Sequence, residues 1–219
     1  GIREGQTITP FYDPMLAKII AYGENREEAR RRLVRAVEDS KLLGIKDNRA
    51  FLASILRNDT FIQGEATTAF IGDDFSQDPS LQPLKAQRSE VALAASILCA
   101  INSGTSGWQN NRTGSRFIKL SCEEETFELA LVAVNNSITV SFSSDEAESS
   151  IEDVTITILE QSENSLKYLM NDIVRSVVYS QAKGEGDALG CDQVQIAASY
   201  GNLTFTDISL QSAKKNQGG

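Results

Sequence analysis

The sequence contains no histidine. That absence removes the commonest general base near neutral pH and the commonest metal ligand, and with them His-centred triads and most zinc enzymes, so no metal site is expected. Cysteine is scarce: Cys99, Cys122 and Cys191 are far apart and odd in number. Neither a disulfide framework nor a Cys-x-x-Cys site is readable, and a reduced, intracellular compartment is expected. Long apolar runs are missing too. The longest, Val91 to Ile101, covers 11 residues and is interrupted by Ser96, whereas a spanning helix needs about 20. No transmembrane segment is expected. The opening Gly1-Ile2-Arg3-Glu4-Gly5 has no Met and no apolar stretch beside it, so no signal peptide is expected and the chain reads as an excised fragment. Basic side chains are outnumbered, 21 Lys plus Arg against 30 Asp plus Glu, which argues against nucleic acid or an anionic membrane as partner.

What remains is 219 residues, 41% of them hydrophobic, enough for one large or two small domains with real cores. Charge divides them. Residues 1–74 carry 11 basic and 12 acidic side chains, and residues 75–219 carry 10 and 18, a contrast that suggests two domains. Two of the four prolines fall among polar residues between Asp73 and Pro83, which is linker chemistry. The expected division is 1–74, a linker at 75–88, a second domain at 89–211, and the start of another linker at 212–219.

In the first domain, Thr7 to Tyr22 mixes strand formers with Pro10 and Pro14, which predicts an edge or bulged strand. Asn25 and Glu28 form a capping-box pair before a helical run of Ala29, Leu33, Ala36, Val37 and Ser40, with Gly44 as the expected C-cap. A second helix is expected from about Asp47 to Arg57, with Phe51, Leu52, Ile55 and Leu56 inward. The run Arg30-Arg31-Arg32 with Arg35 is a candidate phosphate grip, but Glu27 and Glu28 offer local pairs, and the reading adopted is a solvated helix face.

In the second domain Ser89 is the expected cap of a helix whose body, Val91 to Ile101, has no polar face and must therefore be surrounded. Eight strand signals follow: Phe117 to Cys122, Phe127 to Val134, Ser137 to Phe142, Val154 to Leu159, Ser165 to Met170, Ile173 to Ser180, Val194 to Ala198 and Leu203 to Ile208. Turn pairs such as Asn135-Asn136, Asn171-Asp172 and Gly201-Asn202 separate them. The economical arrangement is an antiparallel sheet curled around the helix, which buries both and reduces open edges. The fold class expected overall is α+β.

Chemistry is harder to find. There is no Gly-x-x-x-x-Gly-Lys loop and no Gly-x-Gly-x-x-Gly. Gly184-Glu185-Gly186-Asp187 places acids where phosphate would bind, Glu123-Glu124-Glu125 reads as a charged turn, and Cys99 lies within the apolar helix. The stretch Phe11-Tyr12-Asp13-Pro14-Met15-Leu16-Ala17-Lys18 stands out. Asp13 and Lys18 are an odd number of residues apart, so along a strand they face opposite sides and do not pair without a bulge. Physical reasoning alone leaves Asp13 open between a functional carboxylate and a core residue satisfied by fixed donors.

Four elements in order carry a resemblance: Tyr12-Asp13-Pro14-Met15-Leu16-Ala17-Lys18-Ile19-Ile20, Gly23-Glu24-Asn25-Arg26-Glu27-Glu28-Ala29, Gly44-Ile45-Lys46-Asp47-Asn48 and Thr67-Thr68-Ala69-Phe70-Ile71. Across roughly residues 1–72 the chain resembles the C-terminal subdomain of biotin carboxylase, and within that family the alpha subunits of acyl-CoA carboxylases, above all the 3-methylcrotonyl-CoA type, with geranyl-CoA and propionyl-CoA carboxylases close. The resemblance implies a remnant of that subdomain, with strands plus two helices, followed by a BT connecting domain in which an eight-stranded antiparallel barrel encloses a helix. It implies an enzyme that uses ATP, Mg and bicarbonate to carboxylate biotin and then passes the carboxyl group to an acyl-CoA on a carboxyltransferase beta subunit. The ATP-grasp body and the biotin carrier domain would lie outside the chain, and the fragment alone would be inactive. Neither Met15 nor Met170 adjoins a lysine, so no biotinylation site is present.

The same resemblance implies that Asp13 lies near the biotin and bicarbonate end of the carboxylase site, and that Thr68 and Phe70 lie near the adenine end of the ATP pocket. Bacterial acetyl-CoA-type enzymes have His where Ala69 stands. Trp108, in the polar connection from Ser103 to Arg116, is the expected interface anchor, since an exposed Trp in a loop commonly serves as one; capping of the barrel end is the other reading. The implied setting is cytoplasmic in a bacterium or the mitochondrial matrix in a eukaryote. The alternative from another class is a free-standing barrel that binds a ligand or a protein without catalysis.

Overall fold

The computed structural model describes residues 2–9, 11, 15–102, 115–143, 152–182, 192–198 and 200–209. Two compact units form, one of Gly1–Ser40 with Asn48–Leu81 and one of Lys41–Asp47 with Gln82–Gly219.

The first unit is helical. Helix α1, Arg26–Asp39, begins where the Asn25 side chain accepts the Glu28 N–H at 2.9 Å. The reciprocal bond of the capping box is displaced by one residue: the Glu28 carboxylate accepts from the Glu24 N–H at 2.8 Å. Gly23 permits this tight entry, because a Cβ there would stand 2.4 Å from the backbone nitrogen of Ala29. The helix stops at Ser40 rather than Gly44. Ser40 turns extended, and both its N–H and its hydroxyl bond to the Ala36 carbonyl. Gly44 takes its positive φ of 85° in a separate bend.

Helix α2, Arg49–Arg57, packs on α1 through Val34, Val37, Ala53 and Leu56, with Leu33 and Phe61 alongside. Leu52, expected inward, is exposed. Asn58 then caps a further short helix, α3 (Asp59–Gln63), by accepting from the Thr60 N–H, and Gly64 in the left-handed region ends it. Helix α4, Phe70–Asp74, follows. Phe75, inside the stretch expected to link the domains, is 1% exposed and meets Phe51 and Phe70 edge to face at centroid distances of 5.7 and 5.1 Å. Asp78 and Pro79 then open a 3-10 turn, Pro79–Leu81.

The strand expected over Thr7 to Tyr22 does not form among the described residues, and the unit contains no strand at all there. A strand is held by ladder bonds to a neighbour, and among the described residues this stretch pairs with none. Among its described residues the first unit has helices and no strand, with Phe11, Met15, Ile19, Ile20 and Tyr22 exposed.

In the second unit all eight expected strands are present: β1 (Ser115–Cys122), β2 (Glu125–Val134), β3 (Ser137–Phe142), β4 (Val154–Gln161), β5 (Ser165–Met170), β6 (Ile173–Ala182), β7 (Gln193–Ala198) and β8 (Gly201–Asp207). They close in sequence order into an antiparallel barrel, with β1 pairing β8 at Leu120 to Cys122. Alternation makes the wall: Ile118, Leu120 and Cys122 point to the core, as do Leu129 and Leu131, Ile138 and Val140, and Leu203 and Phe205. Helix α5, Arg88–Asn102, belongs to the same core, with Val91, Ala92, Ala94, Ala95 and Ile97 each 0% exposed. It contacts β1, β3, β4 and β7. The buried Ser96 hydroxyl is satisfied by the Ala92 carbonyl at 2.8 Å. The helix starts one residue before the expected cap: Gln87 occupies the cap position, and the Glu90 carboxylate accepts its N–H at 2.8 Å.

Candidate functional site

Asp13 and Trp108 lie outside the described residues, as does Cys191. Thr68 is exposed in the turn before α4, where the Thr67 hydroxyl accepts the Ala69 N–H at 3.2 Å. Phe70 is buried at the head of α4 against Phe75, which is a packing position. Thr68 and Phe70 are thus near in sequence but face differently, one to solvent and one to the core. Lys18 is exposed.

The arginines of the first unit are engaged locally. Arg30 donates to both Glu27 carboxylate oxygens, at 2.8 and 2.7 Å, and to the Leu56 carbonyl at 2.7 Å. That hydrogen bond and the charge behind it hold the Glu27 carboxyl below its ordinary pKa and raise Arg30. Arg32 donates to Glu28 and to the Tyr22 carbonyl, at 2.5 and 2.9 Å. Arg26 lies 5.2 Å from the Phe61 ring centre and donates at 2.8 Å to both the Phe61 and Ile62 carbonyls, near the end of α3. Arg49 donates to the Ser40 carbonyl and Arg57 to Glu38. The cluster read as a solvated face is that and something more at one position, because Arg30 also binds the Leu56 carbonyl that the end of α2 leaves open, as Arg26 and Arg49 outside the cluster do for the ends of α3 and α1.

Sequence reasoning missed two arrangements in the barrel unit. Segment Lys41–Asp47 lies along β7 and β8, where the Asn202 amide donates to the carbonyls of Leu42 and Ile45 and to the Asp47 carboxylate, and Gln195 accepts the Gly44 N–H. A cleft of about 310 Å³ opens beside it, lined by Ile45, Lys46, Ser180, Gln193, Gln195 and Thr204 among others. No local pattern reports bonds that span some 155 residues of chain, and only the two amides Gln195 and Asn202 on strand faces hint at them.

The second arrangement is at the start of α5. The Tyr200 hydroxyl donates to Glu90, the same carboxylate that caps the helix, and lies 3.3 Å from the Lys85 carbonyl. Burial, then the bond to Glu90 and its negative charge, push the Tyr200 phenol well above its usual pKa. Burial chiefly, with Glu123, Glu125 and Glu90 adding, pushes the Cys122 thiol up to about 11, so it is a protonated, inert thiol at neutral pH. No group of three or more metal-binding side chains occurs among the described residues. No helix there is long and apolar enough to cross a membrane. The described residues show no site for ATP or biotin around the expected positions: Thr68 is exposed, Phe70 is buried in packing, and Arg57, the guanidinium nearest Thr68 in the chain, donates to Glu38.

Residues 1–73 match the family described as the biotin carboxylase C-terminal domain. The chain is 47% identical over 70 residues, 32% of its length, to the biotin carboxylase of Halalkalibacterium halodurans, of which it covers 16%. It is 31% identical over 113 residues, 51% of its length, to the propionyl-CoA carboxylase alpha chain, mitochondrial, of Homo sapiens, again covering 16%. To the methylcrotonoyl-CoA carboxylase subunit alpha, mitochondrial, of Dictyostelium discoideum it is 35% identical over 71 residues, covering 10% of that protein and 32% of this chain. The chain thus spans a small fraction of the length of these relatives, which are biotin-dependent carboxylases. The similarity to the human protein reaches past the family match and into the barrel unit.

Proposed function

We propose that the chain is a segment of the alpha subunit of a biotin-dependent acyl-CoA carboxylase, of the 3-methylcrotonyl-CoA type, and that its barrel is a BT-like connecting domain. The observation that carries the reading is the order of parts: a stretch matching the biotin carboxylase C-terminal domain, followed by a closed eight-stranded barrel that shares its core with an apolar helix. The burial of α5 on all its faces supports a helix enclosed by the wall. In this reading the whole subunit is a ligase that carboxylates biotin at the expense of ATP with Mg, and the barrel unit docks the carboxyltransferase beta subunit. The ATP and biotin groups bind mainly to parts beyond this chain. Here Asp13 orders the biotin and bicarbonate end, Thr68 and Phe70 stand near the adenine end, and Trp108 anchors the beta subunit.

What this chain supplies is position. The bonds from Arg26, Arg30 and Arg49 to helix-end carbonyls fix α1, α2 and α3 as one body. Reading the gene on both sides of this segment tests the proposal. An ATP-grasp sequence upstream and Ala-Met-Lys-Met downstream are expected. Their absence, or biotin-dependent ATP turnover by the isolated 219-residue chain, would overturn it.

A further inference from the structure

Strand β6 changes partners along its length. β5 pairs with it from Ser165 opposite Val178 to Met170 opposite Ile173, whereas β7 pairs with it only from Tyr179 opposite Ile196 to Ala182 opposite Gln193. Residues 173–178 therefore have a ladder on one side and, among the described residues, none on the other.

The hairpin turn determines which groups stand open. Asn171 and Asp172 both have positive φ, 51° and 59°, the signature of a two-residue type I′ turn. In such a hairpin the closing pair, Met170 and Ile173, exchanges both backbone bonds, and the alternation of an antiparallel ladder turns Arg175 and Val177 toward β5 as well. The N–H and C=O groups of Val174 and Ser176 and the N–H of Val178 then point away from β5 with no strand among the described residues to meet them, while the Val178 carbonyl faces Ala197, because Tyr179 opposite Ile196 is a wide pair whose Tyr179 N–H bonds Asn164. The open edge is six residues long, about 20 Å.

Apolar side chains stand on both of its faces, with Arg175 on one and Ser176 on the other. Ile173 and Arg175 share the face of the buried Val177 and Tyr179, yet Ile173 is 53% exposed and Arg175 is exposed, because β7 does not reach them. On the other face Val174 and Val178 are exposed, with Leu169 opposite Val174. Sheets usually blunt such an edge with charge, proline or a bulge, and Arg175 is the single charge available. Elsewhere on the wall Lys119 and Lys167 pair with the glutamates opposite them, Glu128 and Glu160, at 2.9 and 2.8 Å. Arg175 has no ion pair among the described residues. A second copy makes a poor occupant, since two-fold antiparallel pairing centred on this edge sets the two Arg175 side chains on adjacent positions, where like charges repel.

We propose that the β6 edge from Ile173 to Val178 receives an extended segment of a partner protein, with a carboxylate opposite Arg175 and apolar side chains two residues to either side. Backbone bonds to Val174, Ser176 and Val178 supply affinity, and the fork of Arg175 selects the acid. The proposal extends the docking reading above without depending on it, because its test uses no carboxyltransferase chain.

The test combines amide hydrogen exchange on the full chain with binding of a labelled peptide, Thr-Val-Thr-Glu-Thr-Val-Thr, and of the same peptide with Lys in place of Glu. In the free protein the amides of Val174, Ser176 and Val178 exchange at least about tenfold faster than those of Arg175 and Val177. The Glu peptide slows all three. Arg175→Glu weakens the Glu peptide about tenfold or more and makes the Lys peptide the tighter ligand. Slow exchange at Val174, Ser176 and Val178 in the free monomer overturns the proposal, because the chain then covers its own edge. So does protection that appears only as protein concentration rises, which assigns the edge to a second copy. Absence of saturable binding, or equal binding of the two peptides, also overturns it.

Discussion

Replacing Ala95 by Leu probes the claim that α5 is buried on every side. Ala95 is 0% exposed, as are Ala92, Ala94 and Ile97 around it, and all share one core with the inward faces of the strands. The substitution adds three carbons where packing leaves no space, and overpacking of that kind costs about 1–3 kcal/mol. Leu and Ala differ little in helix propensity, so on an exposed face the same change would be nearly silent. With about 2 kcal/mol lost and about 2–4 °C of Tm per kcal/mol for a unit of this size, the barrel transition falls by about 4–8 °C. Melting of the full chain followed by far-UV circular dichroism reads this, with the two units treated as separate transitions. Ile97→Ala at the neighbouring position costs about 2–5 kcal/mol by leaving a cavity. An Ala95→Leu protein that melts at or above the wild-type temperature would refute the reasoning, since the helix would then have an open face.

Gly201 has a φ of 146°, and a Cβ on it would stand 2.6 Å from the Cδ1 of Leu84. Gly201→Ala is therefore expected to lose about 1–3 kcal/mol of stability to backbone strain, and adding Leu84→Ala relieves the clash but not the strain; full rescue by the second change would contradict this. Cys122 has a folded pKa raised from about 9 to about 11, so its contribution is complete below about pH 9 and is lost as pH rises through about 11, an effect of up to about 2–3 kcal/mol. The raised Tyr200 phenol acts with the same sign. The urea midpoint should therefore fall between about pH 8 and pH 11, less so in Cys122→Val, and a flat midpoint would count against the burial argument. Trp108→Ala should weaken capture of the carboxyltransferase beta subunit without changing Tm, and equal capture by both proteins removes the anchor role.

The barrel was legible because each strand carries its own signal. Alternation sets the inward face, and residues that tolerate positive φ sit where the turns fall, Asn135 at 53° and the pair Asn171 and Asp172. The wholly apolar helix had only one consistent environment, a surround of other apolar side chains. Less of the first unit could be read. Thr7 to Tyr22 has strand composition, but a strand exists only with a neighbour, and composition does not say whether one is present. Phe75 was hidden among polar linker residues, because a single buried aromatic has no periodicity. The helix end at Ser40 was misplaced since a hydroxyl that bonds back one turn competes with glycine as a terminator. As for the candidate site, Thr68 and Phe70 stood out only through family resemblance. The bonds of Asn202 and Gln195 to residues 42–47 follow from tertiary placement, which no local window contains.

The central claim, that this chain is the connecting part of a carboxylase alpha subunit, is tested most directly by mixing the purified 219-residue chain with the carboxyltransferase beta subunit of the 3-methylcrotonyl-CoA type from the same source and sedimenting the mixture. A complex heavier than the beta assembly alone, formed by both folded partners and retained when residues 1–73 are supplied within the chain, is the predicted result. Separate sedimentation of two folded proteins at tens of micromolar, where even a weak interface of about −6 kcal/mol would be half occupied, would contradict it.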